Sequence, residues 1–301
     1  MTLRHLRTGA AVAVALLALT ACGGGTASPT AGGGKVDVVA STNVWGSVVQ
    51  AVGGDAVTIH SIINDPSADP HSYEGKPADV AALAKAKLVV FNGGGYDAFF
   101  TKMIGDGSAG GAKQIDAFRL SGKPDGTNEH VWYDLPTVRK VADKVAEELS
   151  AAAPDKKDTF TANAKAFDGK LDELGAKIAK VGADHPGSKV VVTEPVPHYL
   201  LEAAGVQDVT PVEFSKAIEN QTDVPVAALS ATTALITGKQ VTALVNNSQT
   251  ENSVTKQLVD QANAAGVPVV GVTETLPAGV SGYLDWMTKQ VDALSAALGK
   301  K

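Results

Sequence analysis

Cysteine is nearly absent: one residue in 301. A single thiol excludes an internal disulfide, a cysteine-clustered zinc or iron–sulfur site and a Cys-x-x-Cys redox pair. Aromatic side chains make up only 5% of the chain, which argues against a carbohydrate groove of stacked rings. A basic excess is missing as well. Lys and Arg number 26 against 32 Asp and Glu, a net charge of −6, whereas a nucleic-acid coat needs the opposite sign. Beyond the N-terminal segment no apolar run reaches the length of a membrane-spanning helix. What remains is globular composition, 44% hydrophobic and 19% charged, in a chain longer than one core usually fills.

The N-terminus reads as a targeting segment. Arg4 and Arg7 precede a short apolar run from Ala10 to Leu19, and Leu19-Thr20-Ala21 then leads to the only cysteine, Cys22. Small residues before a lone cysteine resemble a bacterial lipobox. Residues 1–21 are therefore expected to be a lipoprotein signal peptide, with Cys22 lipid-modified after cleavage. Residues 22–34, rich in Gly, Ser, Thr and Ala, have the composition of a flexible tether. These features place the mature chain on the outer face of the cytoplasmic membrane, anchored there by lipid. The leader removes two arginines and no acid, so the mature chain is more acidic still.

After the tether, short β-branched runs alternate with alanine-rich helical stretches. The strand candidates are Val36 to Ala40, Val57 to Ile63, Leu88 to Phe91, Val190 to Thr193, Val209 to Phe214, Thr242 to Val245 and Val267 to Val272. Each is apolar without strict alternation, as in parallel strands covered on both faces. Helix candidates include Trp45 to Val52, Pro77 to Lys85, Thr137 to Ala152 and Thr255 to Ala265. Between the halves, Phe160, Phe167, Leu171, Leu174, Ile178 and Val181 recur at steps of 7, 4, 3, 4 and 3, a helical stripe. Pro154 suits the first turn and Gly182 the C-cap of a helix roughly 40 Å long. The fold class is α/β: two doubly wound lobes with mainly parallel sheets, joined by one long rigid helix. The lobes are expected at residues 35–153 and 183–301, with the linking helix at 154–182.

Ligands of open parallel sheets bind beyond the carboxyl ends of the strands. His71 follows the second strand run, and His130 lies near the end of the first half. Glu194 follows Val190-Val191-Val192-Thr193 at once, and Glu274 follows the last run. Two imidazoles and two carboxylates, two from each lobe, suit a first-row divalent metal held in a cleft. Calcium fits poorly, because it prefers all-oxygen sites.

At these residues the chain resembles the metal-binding solute-binding lipoproteins of zinc and manganese ABC importers, the cluster A-I family. Asp69-Pro70-His71-Ser72-Tyr73-Glu74 matches the family's Asp-Pro-His-x-Tyr-Glu, and His130-Val131-Trp132-Tyr133-Asp134 its His-x-Trp-x-Asp box. Val191-Val192-Thr193-Glu194 and Val272-Thr273-Glu274-Thr275-Leu276 match the segments of the third and fourth ligands. The resemblance covers nearly the whole mature chain. It implies capture of manganese or zinc as cargo, with no reaction catalysed. It further implies handover to an ABC permease and its ATPase subunit, by a monomer that touches no nucleic acid. A surface-anchored metal-dependent hydrolase and an adhesin-type lipoprotein are the alternatives. Catalytic zinc usually keeps a water position that four protein ligands leave less room for, and no Gly-x-Ser-x-Gly elbow appears.

Some positions depart from the family pattern. The segment from Gly105 to Thr127 lacks the histidine-rich loop of many zinc-binding members, and Glu274 stands where Asp is more common. The missing loop and the two carboxylates tilt the expected cargo towards manganese, an ion that accepts oxygen ligands and more than four bonds. His198 lies four residues after Glu194, but Pro195 and Pro197 disfavour a helix across that stretch, so Glu194 is the expected third ligand. His198 is expected to open the following helix and face solvent or the cleft rim. Asn43 and Trp45 are candidate cleft residues. Asn247, Ser248 and Gln249 either hydrogen-bond ligand carboxylates or cap a helix. His60 reads as structural, His185 as a turn residue, and Trp286 and Met287 as core.

Overall fold

The computed structural model describes residues 34–300, except Ser67, Asp69 and His71. Cys22 and the leader lie outside the described residues. Residues 34–301 form one compact unit.

The first half runs β1 (Val36–Thr42), α1 (Asn43–Gly53), β2 (Val57–Ile63), α2 (Pro77–Leu83), β3 (Leu88–Phe91), α3 (Ala98–Gly105), β4 (Lys113–Asp116) and α4 (Ala117–Ser121). Two helices follow, α5 (Leu135–Ala152) and α6 (Lys157–Asp184). The second half runs β5 (Lys189–Val192), α7 (His198–Ala203), β6 (Gln207–Asp208), α8 (Val212–Glu219), α9 (Val226–Thr237), β7 (Ala243–Asn247), α10 (Ser253–Ala265), β8 (Val269–Val272) and α11 (Tyr283–Leu298). The strands form two four-stranded sheets, ordered β2-β1-β3-β4 and β6-β5-β7-β8. Every pairing is parallel. In both sheets the chain leaves its first strand to one side and then crosses to the other. Each therefore has a switch point, at β1/β3 and at β5/β7, where a crevice opens beyond the strand ends.

Two-residue alternation distributes the core. Val38, Ala40, Leu88 and Val90 of the first sheet join Val190, Val192 and Val245 of the second in one central cluster that also takes in α1, α5, α6 and α11. The opposite faces feed two smaller clusters, one around Val39, Val89 and Phe100, the other around Val191, Leu244 and Phe214. The whole stripe expected on α6, from Phe160 to Val181, is buried in the central cluster.

Three local expectations change, and one strand was not anticipated. Pro154 opens a 3-10 turn ahead of α6 rather than the helix itself, and α6 runs through Gly182 to Asp184. Gly182 is there for close approach: a Cβ would sit 2.0 Å from the Ala204 carbonyl oxygen. Val209 to Phe214 is not a strand. Pairing stops at Asp208, where the Asp208 side chain accepts from the Thr210 amide at 2.9 Å and the Val192 amide turns to the Thr210 hydroxyl at 2.8 Å. Pro211, which has no N–H for a ladder, then starts α8. The edge strand β4, with Ile115 its only buried residue, carries too little apolar signal to be read from sequence.

Candidate functional site

Glu194 lies two residues past β5 and Glu274 two past β8, 4% and 0% exposed. His130, fully buried, is not at a strand end as expected. It sits past α4, immediately before the 3-10 turn Val131–Tyr133 that leads into α5. The remaining residues of its box have separate tasks. Trp132 packs edge-on against the imidazole at 5.1 Å between centroids, and the Asp134 carboxylate accepts the Thr137 amide as the N-cap of α5. His71 lies outside the described residues. Two residues later in the chain, Tyr73 donates to Asp79 at 2.9 Å, and Asp79 also accepts the Lys76 amide at the start of α2. Burial and the Asp79 carboxylate push the Tyr73 hydroxyl up to about 12.

Three side-chain amides order the site. Asn128 donates through Nδ2 to the Pro195 carbonyl at 2.8 Å, and a carbonyl can only accept. Its Oδ1 therefore faces His130, where it accepts the backbone amide at 2.9 Å and meets Nδ1 at 3.0 Å. An amide oxygen has no proton to give, so Nδ1 carries the hydrogen and Nε2 presents its lone pair. Asn247 donates through Nδ2 to Glu194 Oε2 at 3.3 Å and to Glu274 Oε1 at 2.7 Å. Thr250 adds a hydroxyl donor to Glu194. Gln249 accepts the Glu274 and Thr275 amides at 3.0 and 3.2 Å and donates to the Ala68 carbonyl at 2.7 Å, three residues before His71. Asn247 thus bonds both carboxylates expected as ligands. Ser248 instead donates to the Val272 carbonyl at 3.1 Å.

Asn43 is a cleft residue. It exchanges two hydrogen bonds with the Leu276 backbone, at 2.9 and 3.1 Å, just past Glu274. Trp45 is core, as are Trp286 and Met287. His60 lies on β2 with its ring 3.7 Å from Asp79, and His185 follows the end of α6. His198 is the first residue of α7 and is exposed.

One carboxylate escaped the sequence reading. Glu219, the last residue of α8, puts Oε1 3.9 Å from His130 Nε2. Donor atoms of Glu129, His130 and Glu219 all lie within 4.8 Å of one another. Glu219 also lines a cavity of about 420 Å³ together with Glu194 and Thr250. No motif marks it, and only the first three residues of its helix lay in a run with any expected structure, a strand. A buried imidazole beside part-buried carboxylates is a donor set that fits a divalent transition metal.

Two parallel sheets, each with a switch point, with buried carboxylates just past their strand ends and a buried imidazole before α5, have the make-up of a binding protein for a small cation. The profile of the ZnuA family, described as "Zinc-uptake complex component A periplasmic", matches residues 38–297, and the chain belongs to this family of substrate-binding transporter components. It is 29% identical over 254 residues to the manganese ABC transporter substrate-binding lipoprotein PsaA of Streptococcus pneumoniae, covering 74% of this chain and 81% of that one. Identity to the iron ABC transporter substrate-binding lipoprotein MtsA of Streptococcus pyogenes is 30% over 227 residues, 67% of this chain and 73% of that one. Alignment with the Streptococcus cristatus lipoprotein ScbA spans 62% of that protein's length. In three dimensions the periplasmic zinc-binding protein TroA of Treponema pallidum shares the fold, with a TM-score of 0.76 at 22% identity over 89% of this chain and 100% of that one.

Proposed function

We propose that this protein captures a divalent transition metal outside the cytoplasm and delivers it to an ABC permease driven by a cytoplasmic ATPase. His71, His130, Glu194 and Glu274 are the ligands. The observation that carries this reading is the shared Asn247 amide, which holds two buried glutamates from different strand ends side by side. Like charges so placed repel in a low dielectric, and a divalent cation between them turns that repulsion into attraction. Manganese is the cargo we assign, since the carboxylates favour a harder ion that accepts more than four bonds. The names of the relatives, which span manganese, iron and zinc, support the metal class rather than the ion. The chain works as a monomer, tethered by lipid on Cys22.

Isothermal titration with manganese and with zinc tests the ligand set. Glu194→Ala should weaken both by about a hundredfold or more, since even residues behind a ligand are worth roughly 10–100-fold. His198→Ala should stay within about threefold of the parent. If His198→Ala is the damaging change, the third ligand is an imidazole and zinc replaces manganese as the assigned cargo.

A further inference from the structure

We propose that Glu219 is an additional, fifth donor to the bound metal and the residue that biases the site towards ions of high coordination number. The inference rests on the metal-capture reading above and deepens it. The reasoning starts from the tautomer of His130. Asn128 holds the proton on Nδ1, so Nε2 is the nitrogen that meets the metal. Oε1 of Glu219 stands 3.9 Å from that same nitrogen. Two atoms bound to one ion at about 2.1 Å each lie roughly 3–4 Å apart. The observed gap lies at the wide end of that range, so a small adjustment of the Glu219 side chain brings both atoms onto one metal.

The position of Glu219 supports the same conclusion. Its side chain is largely shielded, 14% exposed, at the C-terminal end of α8. It shares a cavity with Glu194, so it faces the second lobe's ligand as well as the first lobe's histidine. Glu129 is the competing carboxylate in the same cluster. Glu219 has its Oε1 3.9 Å from Nε2 and also lines the cavity with Glu194, and these two observations favour it as the donor.

A third carboxylate changes selectivity more than total affinity. Structural zinc is satisfied by four ligands. Manganese and ferrous iron prefer more oxygens and a larger shell. Glu219 should therefore matter for the latter and little for zinc.

The test is competition titration of manganese against zinc on the full chain and on Glu219→Gln, which keeps shape and removes charge. Manganese affinity is expected to fall about tenfold or more while zinc stays within about threefold. Equal losses for both metals would mark Glu219 as structural and overturn the proposal, as would no change in either. Should Glu219→Gln not fold, Glu219→Asp retains the charge but withdraws it by one methylene, and the same ratio is read. Glu129→Gln is the companion variant: if it moves the ratio and Glu219→Gln does not, the fifth donor is Glu129 and the proposal is wrong. Failure of the parent chain to bind either metal sinks the capture reading itself. A parent that binds, with an unmoved ratio in Glu219→Gln, sinks only this inference.

Discussion

Asp97 shows what a single buried charge costs and where its effect appears. The Gly93-Gly94-Gly95 turn after β3 has positive φ at all three glycines. It closes over the Asp97 carboxylate, which accepts the Asn92 and Gly93 amides at 2.6 and 2.9 Å. Those bonds favour the charged form, but burial outweighs them and pushes the carboxyl up to about 6 from 3.8. The folded state thus holds a proton that the unfolded chain releases. The resulting stability is fully present below about pH 4 and is lost as pH rises through about 6. A shift of that size is worth roughly 3 kcal/mol. Asp97→Asn removes the titration, so its destabilisation relative to the parent should be largest near pH 4 and shrink by about that amount by pH 7. Urea unfolding of both proteins across this range checks it; a difference independent of pH contradicts the assignment. At this scale the sequence was only partly legible. His130, Glu194 and Glu274, three of the proposed ligands, stand in segments recognisable from the sequence. Gln249 fell within a tripeptide the sequence already marked, but Asn128 works through amide geometry and Glu219 stands at a helix end, and neither leaves a pattern in one chain.

Elements were readable in proportion to how much apolar surface they bury. Strands β1, β2, β3, β5, β7 and β8 have apolar residues on both faces and stood out. Helix α9 did not, because its buried side, Ala228, Thr232 and Ile236, carries only one large apolar residue. The stripe of α6 was plain, but the role of its glycines needed coordinates. Gly169 is an exposed helical residue whose absent Cβ would meet nothing within 4 Å, whereas Gly182 would drive a Cβ into the Ala204 carbonyl. The same substitution should therefore have opposite signs at two positions of one helix. Gly169→Ala should stabilise by about 0.5–1 kcal/mol through backbone entropy. Gly182→Ala should destabilise by about 1–3 kcal/mol, because one of two packed backbones must move. At about 2–4 °C per kcal/mol these are measurable shifts in Tm. Two shifts of the same sign contradict the close approach of α6 and α7.

Across the molecule, the two sheets are joined by more than a helix. Their inner faces share one hydrophobic cluster. Bonds also cross between the halves around the site: Tyr133 to the Thr273 carbonyl at 2.9 Å, Tyr283 to the Trp132 carbonyl at 2.7 Å, and Tyr199 to the Asn128 carbonyl at 2.6 Å. Wide opening would break these bonds and expose shared core, so the two halves are held together before any metal arrives. Metal capture should then stabilise the fold strongly while changing its shape little. Binding to the folded state alone adds about 2.7 kcal/mol at a hundredfold excess over Kd. That corresponds to a Tm rise of roughly 5–10 °C, reversed by chelator. Small-angle scattering of the same samples should show a radius of gyration unchanged within about 1 Å, the scale of motion in pre-organised binding. The two measurements separate two errors. No thermal shift with manganese, iron, cobalt or zinc removes the metal from the account. A thermal shift accompanied by a contraction of several ångströms keeps the metal but shows that the shared core and cross-bonds yield to it, so the halves close around the ion after it arrives.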